Sequence, residues 1–441
     1  MTSTFRPRIS WALRLTALYA LIFVLLVMRR PDAVFHAQFW AEDGAVFFHG
    51  ALFDGFGSLF TPYGGYLQVV PRTIALAALV IPFAFQPLVY DLFALGISAA
   101  VFTAFASPAY RYVVRSDAAR AAIGVTAALA PFVGEILGDI TNIQWYLALG
   151  ALLLMLYRPQ NSSILGSVLR GIAAAACAFS APLTIIWIPL AMRILAVPRN
   201  RERTTSLIVA VGAIFEVVSS AITLPSTHQP FSIHVLATAL LATYAFRVVI
   251  PTLLGEPTAI SLTAVPYLAV VFTAIVTVGA AIAFRTRLQR YRAASVWLWI
   301  VASLGISLVG RNFVTTFGSV RHFAQFGGER YFFIGSVLLV FLCGSALAAR
   351  LRRAYLLVPA AIVVFSLASF RNFQTVPFAD LHWRDEAGVV SAWSLARTNH
   401  ASVHAVSLPI NPAGWAIALP GCESPLAERA AAGLTCPPAE R

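Results

Sequence analysis

Two adjacent carboxylates follow the first long apolar segment of this chain. Glu42 and Asp43 stand two and three residues after Trp40, at the start of an aromatic run, and a third carboxylate, Asp139, lies in a loop after a later apolar segment. Charge in or beside a membrane is costly unless it is paired or hydrated, so such carboxylates are candidate functional groups. A solvated loop that begins a surface helix is the alternative interpretation of the Glu42-Asp43 pair.

The composition predicts that these acids belong to a membrane protein. The 441 residues are 59% hydrophobic and 11% charged, whereas about a quarter of the residues of a soluble domain are charged. The formal net charge of +13 comes from Arg alone, because the chain contains no Lys. These arginines are scattered rather than clustered on one basic face, which argues against nucleic-acid binding. We therefore expect an all-α polytopic protein in a lipid bilayer.

The positions of the arginines predict about eleven crossings with the N-terminus in the cytoplasm. Arg29 and Arg30, directly after the first crossing, mildly oppose this orientation. Segments 69–85 and 235–254 are apolar, but one more crossing at either place would put Arg-rich connections outside. We therefore expect both to be interfacial or re-entrant. The predicted crossings are 13–28, 88–107, 121–136, 145–157, a hairpin of 172–179 and 182–195, 206–224, 266–284, 295–309, a tenth that ends at 350, and 355–370.

Residues 1–370 are thus predicted to form a transmembrane domain, and residues 371–441 a small extracytoplasmic cap. The tail contains a strand-like run at 403–408 and a turn at 409–415. Cys422 and Cys436 lie in this polar tail, where a disulfide is compatible with an extracytoplasmic location.

Besides Arg29 and Arg30, five arginines of the predicted transmembrane domain fall on the outer side, against the positive-inside trend. A guanidinium fork at such a place suits bidentate binding of a phosphate at the membrane surface. The alternative for each is an interfacial side chain or an ion pair with Glu329 or Asp139. No DxD motif, His-Cys cluster or Gly-rich phosphate loop is present, so a nucleotide-sugar donor and an obligatory metal are weakly supported, and a divalent cation stays open. The five are Arg72, Arg247, Arg311, Arg321 and Arg330.

This arrangement resembles the GT-C superfamily of membrane glycosyltransferases. The resemblance rests on the acidic pair after the first crossing, the juxtamembrane apolar helix, the acid after the third crossing, and Arg330-Tyr331 near a late outer loop. The nearest patterns are those of the lipid A aminoarabinose transferase and the protein O-mannosyltransferases. The resemblance implies that Asp43 or Glu42 is the catalytic base, that Asp139 is the second site acid, and that the fold is a GT-C-like bundle with interfacial helices.

The resulting hypothesis is an enzyme that moves a sugar from a polyprenyl-phosphate donor to an acceptor in the cell envelope. This hypothesis rests on the paired acids and on the residues predicted to bind the donor phosphate, which are Arg72, Arg311, Arg321, Arg330 and Tyr331. The expected location is the bacterial inner (plasma) membrane, with the active site on the extracytoplasmic side. A transporter or flippase of lipid-linked saccharides, with Glu216 in mid-span as its site, is the main alternative. A non-catalytic assembly subunit is a third.

Overall fold

The computed structural model describes residues 6–131, 133–159, 163–197, 202–223, 232–310, 328–350, 373–399, 401–432 and 434. Nearly all of the regular structure is helical. The α-helices are Arg6–Arg29, Asp32–Phe35, His49–Asp54, Val69–Ala78, Gln86–Ala104, Asp117–Ala128, Ile143–Leu156, Ile164–Ala178, Ile188–Ala196, Arg203–Thr223, Ile233–Thr243, Ile250–Leu254, Glu256–Leu262, Pro266–Ala283, Arg287–Gly310, Arg330–Arg350, Trp383–Thr398 and Leu426–Ala431. The π-helices are Asp43–Phe48 and Tyr244–Val249, and the 3₁₀ helices are Gly55–Phe60, Phe83–Phe85, Pro108–Tyr110 and Pro182–Trp187.

Seven helices in the described residues are long and apolar enough to cross a membrane, which supports a multi-pass, all-α membrane protein. Apolar side chains cover the outer surfaces of several of them, as a lipid environment requires. The predicted count of eleven is not confirmed. The seven are Trp11–Arg29, Phe83–Ala104, Arg203–Thr223, Ile233–Leu254, Pro266–Ala283, Arg287–Gly310 and Arg330–Ala349.

Part of the difference between the eleven predicted crossings and the seven candidate spans arises in the middle of the chain. The predicted third and fourth crossings are helices of only 12 and 14 residues, Asp117–Ala128 and Ile143–Leu156. A crossing needs about 20 residues, and an apolar run of 10–14 is more often a buried core helix. Almost every side chain of Ile143–Leu156 is buried. This helix is apolar because protein surrounds it.

The predicted hairpin of the fifth and sixth crossings is a sharply bent helical pair. Ile164–Ala178 and Pro182–Ala196 are related by a bend of 115°, and together they could make one broken span or a re-entrant loop. If they count as one span, the described residues hold eight. The predicted eleventh crossing, 355–370, lies outside the described residues.

The two ambiguous apolar segments differ from each other. Val69–Ala78 has ten residues and is therefore roughly 15 Å long, too short to cross alone, as expected. Ile233–Leu254, in contrast, is a 22-residue helical segment that is long and apolar enough to cross. Its length and composition therefore allow a crossing where the arrangement of the arginines predicts an interfacial or re-entrant segment.

The tail forms a small unit of mixed structure. A helix, Trp383–Thr398, precedes an antiparallel hairpin of Val406–Ile410 and Trp415–Leu419, in which Val406 pairs with Leu419 and Ile410 with Trp415. The first strand begins three residues later than predicted. Cys422 is disulfide-bonded, whereas its predicted partner Cys436 lies outside the described residues.

Candidate functional site

The first acidic loop and the second acidic loop meet through the side chain of Asp43. This carboxylate is buried, and it accepts hydrogen bonds from the backbone N–H of Ile140 at 3.1 Å and of Thr141 at 2.9 Å. The hydroxyl of Thr141 also donates to Asp43 Oδ1. Asp43 begins the π-helix Asp43–Phe48. π-Helices are rare in proteins, and those that occur are often found at functional sites. The aromatic run that follows the Glu42-Asp43 pair is thus helical, and its Phe47 and Phe48 are buried.

Asp139 lies directly before the two amides that bind Asp43. It is fully buried, and its Oδ1 accepts a hydrogen bond from the backbone N–H of Asn142 at 2.8 Å. The side chain of Asn142 in turn donates to the carbonyl of Glu135 at 2.7 Å. Asp139 Oδ2 is buried without a hydrogen-bond partner among the described residues. The loop is therefore held tightly while one carboxylate oxygen stays uncommitted.

Two buried arginines brace this second loop. Arg29 donates from Nη1 to the carbonyls of Ala128 at 2.7 Å and Ala130 at 3.1 Å. Arg30 donates to the carbonyls of Gly134 at 2.6 Å and Leu137 at 3.0 Å. Sequence reasoning read these arginines only as weak topology signals. Their position immediately after a crossing, against the positive-inside trend, is the signal that could have identified them.

Further charged side chains lie around Asp43 and Asp139. Arg30 Nε lies 3.6 Å from Asp32 Oδ2. Asp91, inside the candidate span Phe83–Ala104, is buried, and its Oδ2 has no hydrogen-bond partner in the described part of the chain. Asp91 interacts electrostatically with Asp43 and Arg30. Sequence reasoning missed Asp91, although a carboxylate within an apolar span is itself a signal.

Burial controls the protonation of the two loop acids. Burial, reinforced by the charge of Asp139, raises the pKa of Asp43 well above its usual range, against the opposing effect of its three hydrogen bonds. Burial likewise raises the pKa of Asp139 to about 7, although Asn142 and Arg30 act to lower it. Because the carboxylates of Asp43 and Asp139 are both buried, ionising both at once is unfavourable. Asp43 and Asp139 can therefore hold a proton between them near neutral pH.

Glu42 differs from its neighbour in being accessible. Its side chain is half-buried, and no hydrogen bond to it occurs within the described residues. Its charge contributes to raising the pKa of Asp139 and also acts on Arg330. Arg330 Nε lies 3.9 Å from Glu135 Oε2, and both of these side chains are partly exposed. Glu42 and Arg330 are thus the accessible charges beside the buried acids.

Arg330 and Tyr331 begin a long helix at the same end of the bundle. The guanidinium of Arg330 lies 5.2 Å from the centre of the Tyr331 ring. Tyr331 in turn packs edge-on against Trp145, three residues after Asn142, at 5.4 Å between ring centres. The predicted donor-phosphate residues Arg330 and Tyr331 therefore do lie next to the second acidic loop.

The remaining predicted phosphate ligands do not join this group in the described residues. Arg72 is buried, donates to the carbonyl of Leu67 at 3.0 Å and lies 5.5 Å from the ring of Phe47. Burial lowers the pKa of Arg72, partly opposed by Asp54. These neighbours are different from those of Arg330. Arg311 and Arg321 lie outside the described residues, so their convergence with Arg330 stays a prediction.

No protein-family model, curated protein or solved structure matches this chain. The functional assignment therefore depends on the geometry of the site itself.

Glu329, Glu256 and Arg247 form a second group of charged residues next to this site. Burial raises the pKa of Glu329 to about 7, further supported by the charge of Glu256 and opposed by Arg247. Arg247 lies in the second π-helix, with its guanidinium 4.7 Å from the ring centre of Phe332. Arg247 is a further arginine of the predicted outer set that lies towards this end. Among the described residues, no group of three or more His, Cys, Asp or Glu side chains is placed to hold a metal ion.

The tail packs directly on the segment that carries the acidic pair. The backbone N–H of Ala41 donates to the carbonyl of Asn411, and the N–H of Asn411 donates to the carbonyl of Phe39 at 3.2 Å. Trp40 stacks on Phe378 with ring centres 4.4 Å apart. A Cβ added at Gly44 would lie 2.7 Å from Cδ1 of Ile410 in the hairpin. The tail thus fixes the backbone on either side of Glu42 and Asp43.

Glu216 has a different set of contacts. It is buried within the helix Arg203–Thr223, and its Oε2 accepts a hydrogen bond from the backbone N–H of Leu67 at 3.2 Å. Ser220, one turn later, donates to the carbonyl of Gly65 at 3.0 Å. Glu216 therefore ties the helix to the turn at 63–67. Its Oε1 is buried without a hydrogen-bond partner in the described residues.

Proposed function

We propose that this protein is a membrane glycosyltransferase that moves a sugar from a polyprenyl-phosphate donor to an acceptor hydroxyl. The observation that carries the proposal is the junction of two acidic loops at one end of the bundle. The carboxylate of Asp43 binds the backbone next to Asp139, and Glu42 and Arg330 lie alongside. Acids that can accept a proton and an arginine that can stabilise a phosphate are the two parts that such a transfer needs.

In this proposal Glu42 is the base and Asp43 positions it. A general base must come within hydrogen-bond reach of the proton that it removes. Glu42 is half-buried and has no competing hydrogen bond in the described residues, whereas Asp43 is buried and accepts three. Asp43 would keep the two loops together. Asp139, with an uncommitted buried oxygen, would orient the acceptor or share a proton with Asp43.

Arg330 would stabilise the leaving group. As the acceptor oxygen bonds to the anomeric carbon, the bond from that carbon to the phosphate oxygen breaks, and the acceptor proton passes to the carboxylate. The polyprenyl phosphate that leaves carries negative charge, which a guanidinium binds through two parallel N–H groups. Arg330 is partly exposed and its ion pair with Glu135 is long at 3.9 Å, so a phosphate can compete for it.

The surroundings of the site are part of the same proposal. We propose a GT-C-like arrangement of the bundle and a location in the bacterial plasma membrane with the acidic end outside. The support is the distribution of charge, since arginines at the other end of the bundle agree with a cytoplasmic position. Arg311 and Arg321 are proposed as further phosphate ligands on sequence grounds, and Arg72 as a residue that supports the π-helix through Phe47.

The test is release of free polyprenyl phosphate by the purified protein in nanodiscs, given a panel of polyprenyl-phosphate sugars. The wild-type protein should release the lipid phosphate from at least one member of the panel, and Glu42→Gln should not. Glu428→Gln, which changes an exposed acid of the tail, is the matched control and should behave as wild type. If no donor of the panel is cleaved, even with mixed envelope acceptors, the proposal fails.

A transporter of lipid-linked saccharides is the second candidate, favoured by the buried Glu216, one of whose oxygens has no hydrogen-bond partner among the described residues. Its hydrogen bond to Leu67 indicates a structural tie rather than a substrate path. Glu216→Gln keeps the size of the side chain and one acceptor oxygen. Loss of lipid-linked saccharide movement across liposomes by this variant, with sugar release unaffected, would favour the transporter.

A further inference from the structure

A large cavity opens at the end of the bundle opposite to the acidic loops. Its volume is about 1290 Å³, which exceeds the roughly 300–1,000 Å³ of ordinary small-molecule pockets. Most of its lining side chains are apolar, and Leu153, Trp299, Leu338 and Phe341 are among them. A cavity of this size and character suits long hydrocarbon chains.

The helices that carry the candidate site also place this cavity. Arg330–Arg350 begins at the acidic loops, and its far end contributes Ala348 and Ala349 to the cavity wall. Twenty residues of helix span about 30 Å, the thickness of the hydrocarbon core. Ile143–Leu156 likewise begins beside Asn142 and ends at the cavity with Leu156. The cavity and the candidate site therefore face opposite leaflets.

The lining of the cavity carries positive charge without any carboxylate. Arg115, Arg285 and Arg292 line it, and none of the lining residues, all in the described part of the chain, is Asp or Glu. The nearby acid Asp117 is already paired, because it accepts two hydrogen bonds of 3.0 Å from Arg111 and a further one from Arg120.

The individual arginines are available to a ligand to different degrees. Arg115 and Arg285 are exposed and have no ion pair among the described residues. Arg292 is half-buried and donates to the carbonyl of Tyr112 at 3.1 Å, which leaves other N–H groups of its guanidinium. The polar groups of Thr286 and Gln289 stand beside them in the lining. The lining of the cavity therefore combines guanidinium donors with apolar side chains.

We propose that this cavity binds one anionic lipid of the leaflet opposite to the candidate site. Its phosphate would lie at Arg115, Arg285 and Arg292, and its chains would fill the space between Trp299 and Phe341. Basic pockets between membrane helices bind anionic lipid headgroups in this manner. The proposal is independent of glycosyl transfer, because it uses other residues at the other end of the bundle.

Native mass spectrometry of the full chain, titrated in detergent with phosphatidylglycerol or with phosphatidylcholine of the same acyl chains, tests this proposal. We expect one phosphatidylglycerol to bind in preference to phosphatidylcholine. The double variant Arg115→Gln, Arg285→Gln should weaken this binding at least about tenfold, the loss expected from one charge-assisted hydrogen bond. Arg287→Gln is the matched control, because Arg287 is exposed nearby but does not line the cavity.

A second variant tests the cavity without changing charge. Ser345 lines the cavity and is half-buried, so Ser345→Trp should fill part of the space and exclude the lipid while all three arginines remain. Equal binding of the two lipids, an equal loss in Arg287→Gln, or full binding by Ser345→Trp would overturn the proposal. Inorganic phosphate that displaces the lipid at equal concentration would overturn it too, since the chains would then contribute nothing.

Discussion

Replacing Glu42 by Gln keeps the size of the side chain but removes its ability to accept a proton. A positioned general base contributes about 10²- to 10⁴-fold to rate, so turnover should fall by that factor. Folding stability should change little, within about ±0.5 kcal/mol, because Glu42 is half-buried and accepts no hydrogen bond in the described residues. The signature of the base is therefore a large loss of rate at constant melting temperature.

Replacing Asp43 by Asn should instead lower stability and turnover together. The carboxylate receives two donors from Thr141 on Oδ1 and the N–H of Ile140 on Oδ2. An amide has only one oxygen, so its NH₂ group must face at least one buried N–H that then lacks an acceptor. One such unsatisfied group costs about 1–3 kcal/mol. Stability should fall by about this amount, and turnover should fall as a consequence of the loosened loops.

Both quantities can be measured on the same preparations. Release of polyprenyl phosphate gives turnover, and the thermal unfolding midpoint in detergent gives stability. Thr141→Val removes only the hydroxyl donor and provides the matched control for the brace, with a smaller stability loss than Asp43→Asn. Full turnover by Glu42→Gln, or an Asp43→Asn protein that is inactive yet as stable as wild type, would refute this division of roles and return the base to Asp43.

Three further predictions concern the surroundings of these acids. Arg330→Lys keeps the charge but loses the guanidinium fork, so donor affinity, measured by equilibrium binding, should weaken while the melting temperature holds; unchanged affinity would remove Arg330 from the site. Because burial raises the pKa of Asp139 from 3.8 to about 7, the folded protein holds a proton that the unfolded chain releases. Stability should therefore fall as pH rises across this interval. Asp139→Asn should flatten that slope in thermal unfolding, whereas Glu428→Gln should leave it. Gly44→Val should overpack the contact with the tail hairpin by about 1–3 kcal/mol and speed proteolysis of the tail, and Gly57→Val, where a Cβ meets open space, should do neither.

The sequence predicts the position of the site better than the way in which it is held. Asp43, Asp139 and Arg330 could be assigned to one end of the bundle because each follows or precedes a recognisable apolar helix. Arg30 stands out in the sequence by its position, but its partners could not be predicted, because they are carbonyls of a loop about a hundred residues later. Every residue has a backbone carbonyl, so the sequence does not indicate which carbonyls accept hydrogen bonds from Arg30. Only the fold of the loop shows this.

The number of crossings was harder to predict for a related reason. Hydropathy records whether a segment avoids water and does not record whether lipid or protein covers it. Ile143–Leu156 is apolar because other helices surround it. The arginines further along the chain predict an interfacial or re-entrant segment at Ile233–Leu254, although its own length suffices to cross. Arg247 lies within this helix, and its electrostatic interactions with Glu329 and Glu256 lessen the cost of its charge there.

The separation of charge along the bundle favours an enzyme over a transporter. Asp43, Asp139, Glu329 and Arg330 lie at one end of helices whose other ends carry Arg115 and the cavity. A transport site lies near the middle of the membrane, where it can open to each side in turn. In the described residues Asp91 and Glu216 are the acids inside candidate spans. Asp91 interacts with the group around Asp43 and Arg30, and the hydrogen bond of Glu216 to Leu67 fixes it to a turn. Acids fixed at one surface, braced from within by arginines and covered by the tail, suit chemistry on a substrate that stays at that surface.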